Sequence, residues 1–109
     1  MIQRMNHLTF PISDVKKAVA FYEKILGLKK TREWANYVEF DVGGTDLGFE
    51  LKGEQQIFML VDNVDEEYQD LKSKGVNFLT EPKDQYWGGR TAKFADPDGN
   101  KFILVSFKK

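Results

Sequence analysis

Ile12-Ser13-Asp14-Val15 and, 49 residues further on, Val61-Asp62-Asn63-Val64 have the same grammar: a strand ends, a capping side chain follows, and a helix begins. Ahead of the first stretch, Met5 to Ile12 alternates, with Leu8, Phe10 and Ile12 on one face and His7 and Thr9 on the other. Behind it, Val15, Ala18, Val19, Tyr22, Ile25 and Leu26 recur at helical spacing until Gly27, with Ser13 or Asp14 as the cap. Short strands follow over Lys29 to Trp34 and Tyr37 to Val42. A Gly43-Gly44 turn then leads into Asp46 to Lys52, where Leu47, Phe49 and Leu51 alternate against Gly48, Glu50 and Lys52. Glu50 thereby shares the open face with His7.

The second stretch starts the pattern again. Ile57 to Val61 reads as a strand, Asn63 or Asp65 as a cap, and Val64, Tyr68 and Leu71 as a helix stripe that stops at Gly75. Val76 to Leu79 is a short strand. A loop with Pro82, Tyr86, Trp87, Gly88 and Gly89 precedes a strand over Arg90 to Ala95. The turn Asp96-Pro97-Asp98-Gly99-Asn100 and the strand Lys101 to Phe107 complete the chain. The reading is α+β, a tandem duplication of one strand-helix-three-strand unit, with module one over 1–53 and module two over 54–109.

Composition excludes several chemistries. The 109 residues suit one domain. With no cysteine there is no disulfide, thiolate nucleophile or zinc-cysteine site, so any metal must take His, carboxylate or amide ligands. Sixteen Lys and Arg against seventeen Asp and Glu leave no basic stripe for nucleic acid. No apolar run reaches the roughly 20 residues of a membrane helix, and the opening residues lack a secretory signal, so a cytoplasmic protein is expected, with neither nucleic acid nor membrane as partner. His7, the single histidine, is the natural group for acid-base work near neutral pH. The nine Phe, four Tyr and two Trp exceed what so short a chain needs for packing, which points some rings at a ligand.

In this order and spacing the chain resembles the vicinal oxygen chelate superfamily, the group of glyoxalases, bleomycin resistance proteins, fosfomycin resistance enzymes and extradiol dioxygenases. The resemblance rests on Met5-Asn6-His7-Leu8, on Ala20-Phe21-Tyr22-Glu23 ending in Leu26-Gly27-Leu28, and on Leu71-Lys72-Ser73-Lys74-Gly75-Val76. It is completed by Trp87-Gly88-Gly89-Arg90 with Phe94-Ala95-Asp96-Pro97-Asp98-Gly99-Asn100. It implies two βαβββ modules whose curved mixed sheets form a cleft, helices outside, and commonly a homodimer. Family members that use metal hold it with one residue from the first and one from the last strand of each module.

Here that implies His7 and Glu50 from module one and Gln56, matched to His7 by the 49-residue offset, from module two. The fourth position falls at Ile103 or Leu104, and Phe102 to Phe107 holds no ligating side chain at all. The set is incomplete, and Glu50 is left as the carboxylate to move a proton. A divalent ion, Zn, Ni, Mn or Fe, is the implied cofactor. Trp34, Phe58, Tyr86, Trp87 and Arg90 are the candidate ligand-binding residues, the rings for stacking and Arg90 for an anionic group. Each residue also has a plainer reading: His7 as a hydrogen-bonded strand histidine, Glu50 as a solvated charge, Gln56 as a loop residue, Trp87 as an edge plug of the core. Two functions are consistent with these residues. One is a protein that binds a small, partly apolar or aromatic molecule between its modules, with a partial metal site. The other is a divalent-metal-dependent lyase, isomerase or transferase of the glyoxalase and fosfomycin resistance type using His7, Glu50 and Gln56.

Overall fold

The computed structural model describes residues 1–107. They form two compact bodies, His7–Gln56 and Met1–Asn6 with 57–107. The first six residues associate with the second half of the chain, through the Gln3 amide on the Leu60 carbonyl at 2.8 Å and an ion pair between the terminal amine and Glu67.

In the first body, β1 (Arg4–Ile12), from His7 onward, leads into α1 (Val15–Val19), and β2 (Lys29–Trp34), β3 (Tyr37–Val42) and β4 (Thr45–Leu51) complete it. Their order is β2-β3-β4-β1, with β1 and β4 parallel and the other pairs antiparallel. Asp14 is the cap of α1: its carboxylate accepts from the Lys17 amide at 3.1 Å, satisfying one of the orphan donors of the first turn. Beyond Val19 the helix widens into a π-helical stretch, Ala20–Ile25, where the Leu26 amide reaches back to Phe21 at 3.0 Å. The extra residue per turn rotates the later side chains about the helix axis, so Ile25, expected on the buried stripe, is 71% exposed. Tyr22 stays inward, stacked on Phe49 with centroids 4.2 Å apart. Val15, Ala18, Val38, Phe40 and Phe49 form the core between helix and sheet. Phe40 is fully buried, which contributes about 2–3 kcal/mol through the area it removes from water.

The second body repeats the plan with β5 (Gln56–Leu60), α2 (Val64–Ser73), β6 (Asn77–Phe78), β7 (Lys83–Asp84), β8 (Gly89–Ala95) and β9 (Lys101–Phe107). The order is β5-β9-β8-β6, β5 and β9 being parallel, and β7 pairs with β8. β7 lies in what the sequence suggested was loop; two residues carry too little pattern to be legible. Asn63 caps α2 through the Glu66 amide at 3.1 Å, and α2 begins 49 residues after α1. Both helical segments end at a glycine in the left-handed region, Gly27 (φ 74°) and Gly75 (φ 93°). Val61, Val64, Tyr68, Ala92 and Leu104 pack under α2, while Phe58, Ile103 and Val105, with Leu60, form a separate apolar layer on the sheet's other face.

Candidate functional site

The registers of the first sheet arrange its open face in rows. His7 pairs with Asp46 and Asp46 with Asp41; Thr9 with Gly48 and Gly48 with Glu39; Pro11 with Glu50 and Glu50 with Tyr37. Arg32 and Trp34 extend the second and third rows on β2. The alternation that points Val38, Phe40, Leu47 and Phe49 toward α1 points these side chains the other way.

Gly48 lies at the centre. With no side chain there, the Tyr37 hydroxyl crosses from the next row, donates to Glu39 Oε1 at 2.7 Å and lies 3.3 Å from His7 Nε2. Thr9 Oγ1 is 2.8 Å from the same nitrogen, and His7 Nδ1 faces Glu39 Oε1 at 3.9 Å. The Thr31 hydroxyl donates to Glu39 Oε2 at 3.3 Å, and Arg32 Nε is 3.9 Å from that oxygen. Ligand atoms of His7, Glu39 and Asp46 lie within 4.8 Å of one another, the set of described His, Asp and Glu residues that comes together in this way.

The electrostatics follow from partial burial. The His7 and Glu39 side chains are only 17% and 12% exposed. Burial lowers the His7 pKa below 6.5 against the pull of Glu39 and Asp46, so the ring is neutral at pH 7. Burial raises the Asp46 carboxyl, and the Glu39 charge raises it further. Tyr37 is held well above the usual phenol range by burial and by its hydrogen bond to Glu39, so it keeps its proton. A neutral imidazole beside two crowded carboxylates is a donor set that fits a divalent cation, which would relieve the repulsion between Glu39 and Asp46.

Of the expected metal residues, His7 enters this cluster. Glu50 shares its face but pairs with Pro11, two rows from the His7–Asp46 pair, and bends toward Gly53; Gln56 opens β5. The register also corrects the fourth position. Thr9–Gly48 corresponds to Phe58–Ile103 and Pro11–Glu50 to Leu60–Val105, so Val105, not Ile103 or Leu104, matches Glu50. It too lacks a donor atom. Glu39, Asp46, Tyr37 and Thr9 were not singled out from sequence. The signal available was the alternation of Tyr37, Glu39 and Asp41 against Val38, Phe40 and Val42.

Among the candidate ligand residues, Trp34 is 56% exposed, tilted toward Tyr37 with centroids 5.6 Å apart, and the Arg32 guanidinium lies 6.0 Å over its ring. Trp87 is at the tip of the β7–β8 hairpin, where its ring covers Gly89, so closely that a Cβ there would be 2.1 Å away. It meets Phe58 edge-on at 6.0 Å and Phe107 at 6.1 Å. Tyr86, its neighbour, is 98% exposed. Arg90 is engaged within its own body: Nε and Nη2 hold both oxygens of Asp65 at 2.6 and 3.0 Å, and Nη1 reaches Asp84 at 3.1 Å.

Among the described residues no helix is long and apolar enough to cross a membrane. The model of the Glyoxalase/Bleomycin resistance protein/Dioxygenase superfamily matches residues 4–104. A metallothiol transferase FosB of Staphylococcus saprophyticus is 33% identical over 118 residues, covering 95% of this chain and 77% of that protein. The methylmalonyl-CoA epimerase structure from Mycobacterium tuberculosis superposes with a TM-score of 0.76 at 19% identity, over 99% of this chain and 90% of the other. A Mn(II)-bound glyoxalase from Novosphingobium aromaticivorans gives 0.73 at 22% identity, over 96% of this chain and 39% of the other. With the duplicated βαβββ plan and a family match from β1 into β9, the chain belongs to the glyoxalase/bleomycin resistance protein/dioxygenase superfamily.

Proposed function

We propose that this protein is a divalent-metal-dependent enzyme acting on a small molecule, of the lyase, isomerase or transferase kind, with the cation held by His7, Glu39 and Asp46. The observation that carries the reading is the convergence of one neutral imidazole and two carboxylates within 4.8 Å on a half-buried sheet face. Bound there, the ion would act as a Lewis acid on an oxygen of the small molecule. Glu50, on the same face and outside the cluster, is the carboxylate left to move a proton. Kinship to a metallothiol transferase supports transfer as the reaction type.

Calorimetric titration of chelator-treated protein with Mn²⁺ or Zn²⁺ tests this. About one ion per chain is expected, lost in His7→Ala and Glu39→Gln and retained in Glu50→Gln and Gln56→Ala. Wild-type protein that takes up no stoichiometric ion refutes the reading, as does full uptake by His7→Ala. Loss in Gln56→Ala would return that amide to the ligand set. A second reading, a binding protein that works without metal, is supported by the apolar layer of Phe58, Ile103 and Val105 beside Trp87. It predicts that an aromatic ligand binds equally with and without the cation and that Trp87→Ala weakens it.

A further inference from the structure

Resting on the cation reading above, we infer that Arg32, held over the Trp34 ring at the rim of the site, anchors the small molecule by its charge, and that this molecule is a monocarboxylate with a hydroxyl or carbonyl oxygen next to its carboxyl carbon. Glu39 links Arg32 to the ion: it belongs to the cluster that fits the cation, and its Oε2 lies 3.9 Å from Arg32 Nε, too far for a hydrogen bond. Arg32 and Glu39 are register partners, so their side chains rise from the same face. Burial raises the Asp46 and Tyr37 pKa values, and the Arg32 charge opposes both shifts. The guanidinium is therefore coupled to the cluster without being consumed by it.

Glu39 is already engaged by the Tyr37 and Thr31 hydroxyls at 2.7 and 3.3 Å, and the Arg32 guanidinium makes no hydrogen bond among the described residues. Arg90, by contrast, commits three nitrogens to Asp65 and Asp84. The Trp34 ring, 6.0 Å from Arg32 Cζ, restrains the guanidinium by a cation–π contact and leaves its in-plane N–H groups free, a planar fork that matches the two oxygens of a carboxylate. Exposure points the same way: the side chains of His7 and Glu39 are 17% and 12% exposed, that of Arg32 61%, so a ligand reaches the ion past Arg32. Charge sets the valence. A divalent ion balances Glu39 and Asp46, Arg32 adds one positive charge, and Asp41, at the end of the Asp46 row, repels a second negative one. Because Glu39 borders both the ion and the guanidinium, the oxygen that meets the ion and the carboxylate that meets Arg32 belong on neighbouring carbons.

Titration of zinc-loaded, nitrogen-15-labelled protein with glycolate tests this, read at the indole N–H signals of Trp34 and Trp87, the two tryptophans, which Trp34→Phe tells apart. Glycolate is expected to shift the Trp34 signal to saturation. Glycolamide, of the same size but uncharged, is expected to bind about tenfold more weakly or worse. Arg32→Gln is expected to lose about tenfold in glycolate affinity while its zinc uptake and melting temperature stay as in wild type. A zinc-loaded wild type that takes up no glycolate, equal affinity for glycolate and glycolamide, or full glycolate affinity in Arg32→Gln overturns the inference. A wild type that takes up no zinc removes the cation reading, and the same titration of the ion-free protein still decides whether Arg32 holds a carboxylate.

Discussion

Replacing Gly48 with alanine puts the smallest possible side chain where the Tyr37 hydroxyl passes, and its cost can be worked from the geometry. Gly48 has no positive φ, so the backbone itself accepts alanine. The new methyl would lie 2.3 Å from the Tyr37 oxygen, against about 3.4 Å for an ordinary contact, so the hydroxyl must retreat by about 1.1 Å. Such a move stretches the 2.7 Å bond to Glu39 beyond useful length. A hydrogen bond to a charged group is worth about 1.5–3 kcal/mol, and alanine in place of glycine within a strand returns about 0.5–1 kcal/mol. A net loss of about 1–2 kcal/mol corresponds to a fall in melting temperature of roughly 5 °C or more for a chain of this size. Differential scanning calorimetry should be run beside Gly53→Ala. At Gly53 the close neighbour is the flexible carboxylate end of Glu50, at 2.6 Å, which can swing away, and the 3.0 Å approach to the Glu50 Cβ asks for only a small shift. That control should stay within about 0.5 kcal/mol of wild type. If Gly48→Ala melts at or above wild type, or Gly53→Ala falls as far, the Tyr37 hydroxyl is not held as described.

Stability should vary with pH through His7. Its folded pKa lies below the ordinary 6.5, so between that lowered value and 6.5 the unfolded chain binds the proton that the folded chain refuses. Stability therefore rises with pH across that window and is lost on acidification. Asp46, raised above 3.8 and facing both His7 and Glu39, acts with the opposite sign at lower pH. Melting curves between about pH 5 and 8 should lose the His7 slope in His7→Gln, and a slope that survives the substitution would contradict the assignment. Arg90→Ala should leave cation and ligand affinity unchanged, because Asp65 and Asp84 already occupy the guanidinium. A tenfold loss of ligand affinity measured by titration would place Arg90 in the binding site after all.

The duplicated plan was legible because its signals are local. Caps at Asp14 and Asn63, stops at Gly27 and Gly75, and the alternation of Leu47, Phe49 and Leu51 are each settled within a few residues. The site was legible only in part, because it depends on register between strands distant in sequence. Alternation places Asp46, Gly48 and Glu50 all on the face of His7. Which of them lies beside the imidazole is decided by the parallel pairing of β1 with β4, and a shift of two residues preserves the hydrophobic pattern while moving every polar partner. Glu39 was hidden for a related reason: it reaches His7 through the gap at Gly48, and a missing side chain has no periodicity of its own. The π-helical turn escaped because Ile25 and Leu26 fit an α-helical stripe that one wider turn rotates away.

The matching registers mean that one lattice was decorated twice. Thr9, Gly48 and Glu39 occupy one row of the first copy, and the equivalent row of the second copy is Phe58, Ile103 and Lys93. Asp46 and Glu50 of the first become Lys101 and Val105 of the second. The slot emptied by glycine in one copy is filled by isoleucine in the other, and acids give way to lysines and aliphatic groups. The same strand pattern thus carries an acidic, hydrogen-bonded face in one copy and a largely apolar one in the other.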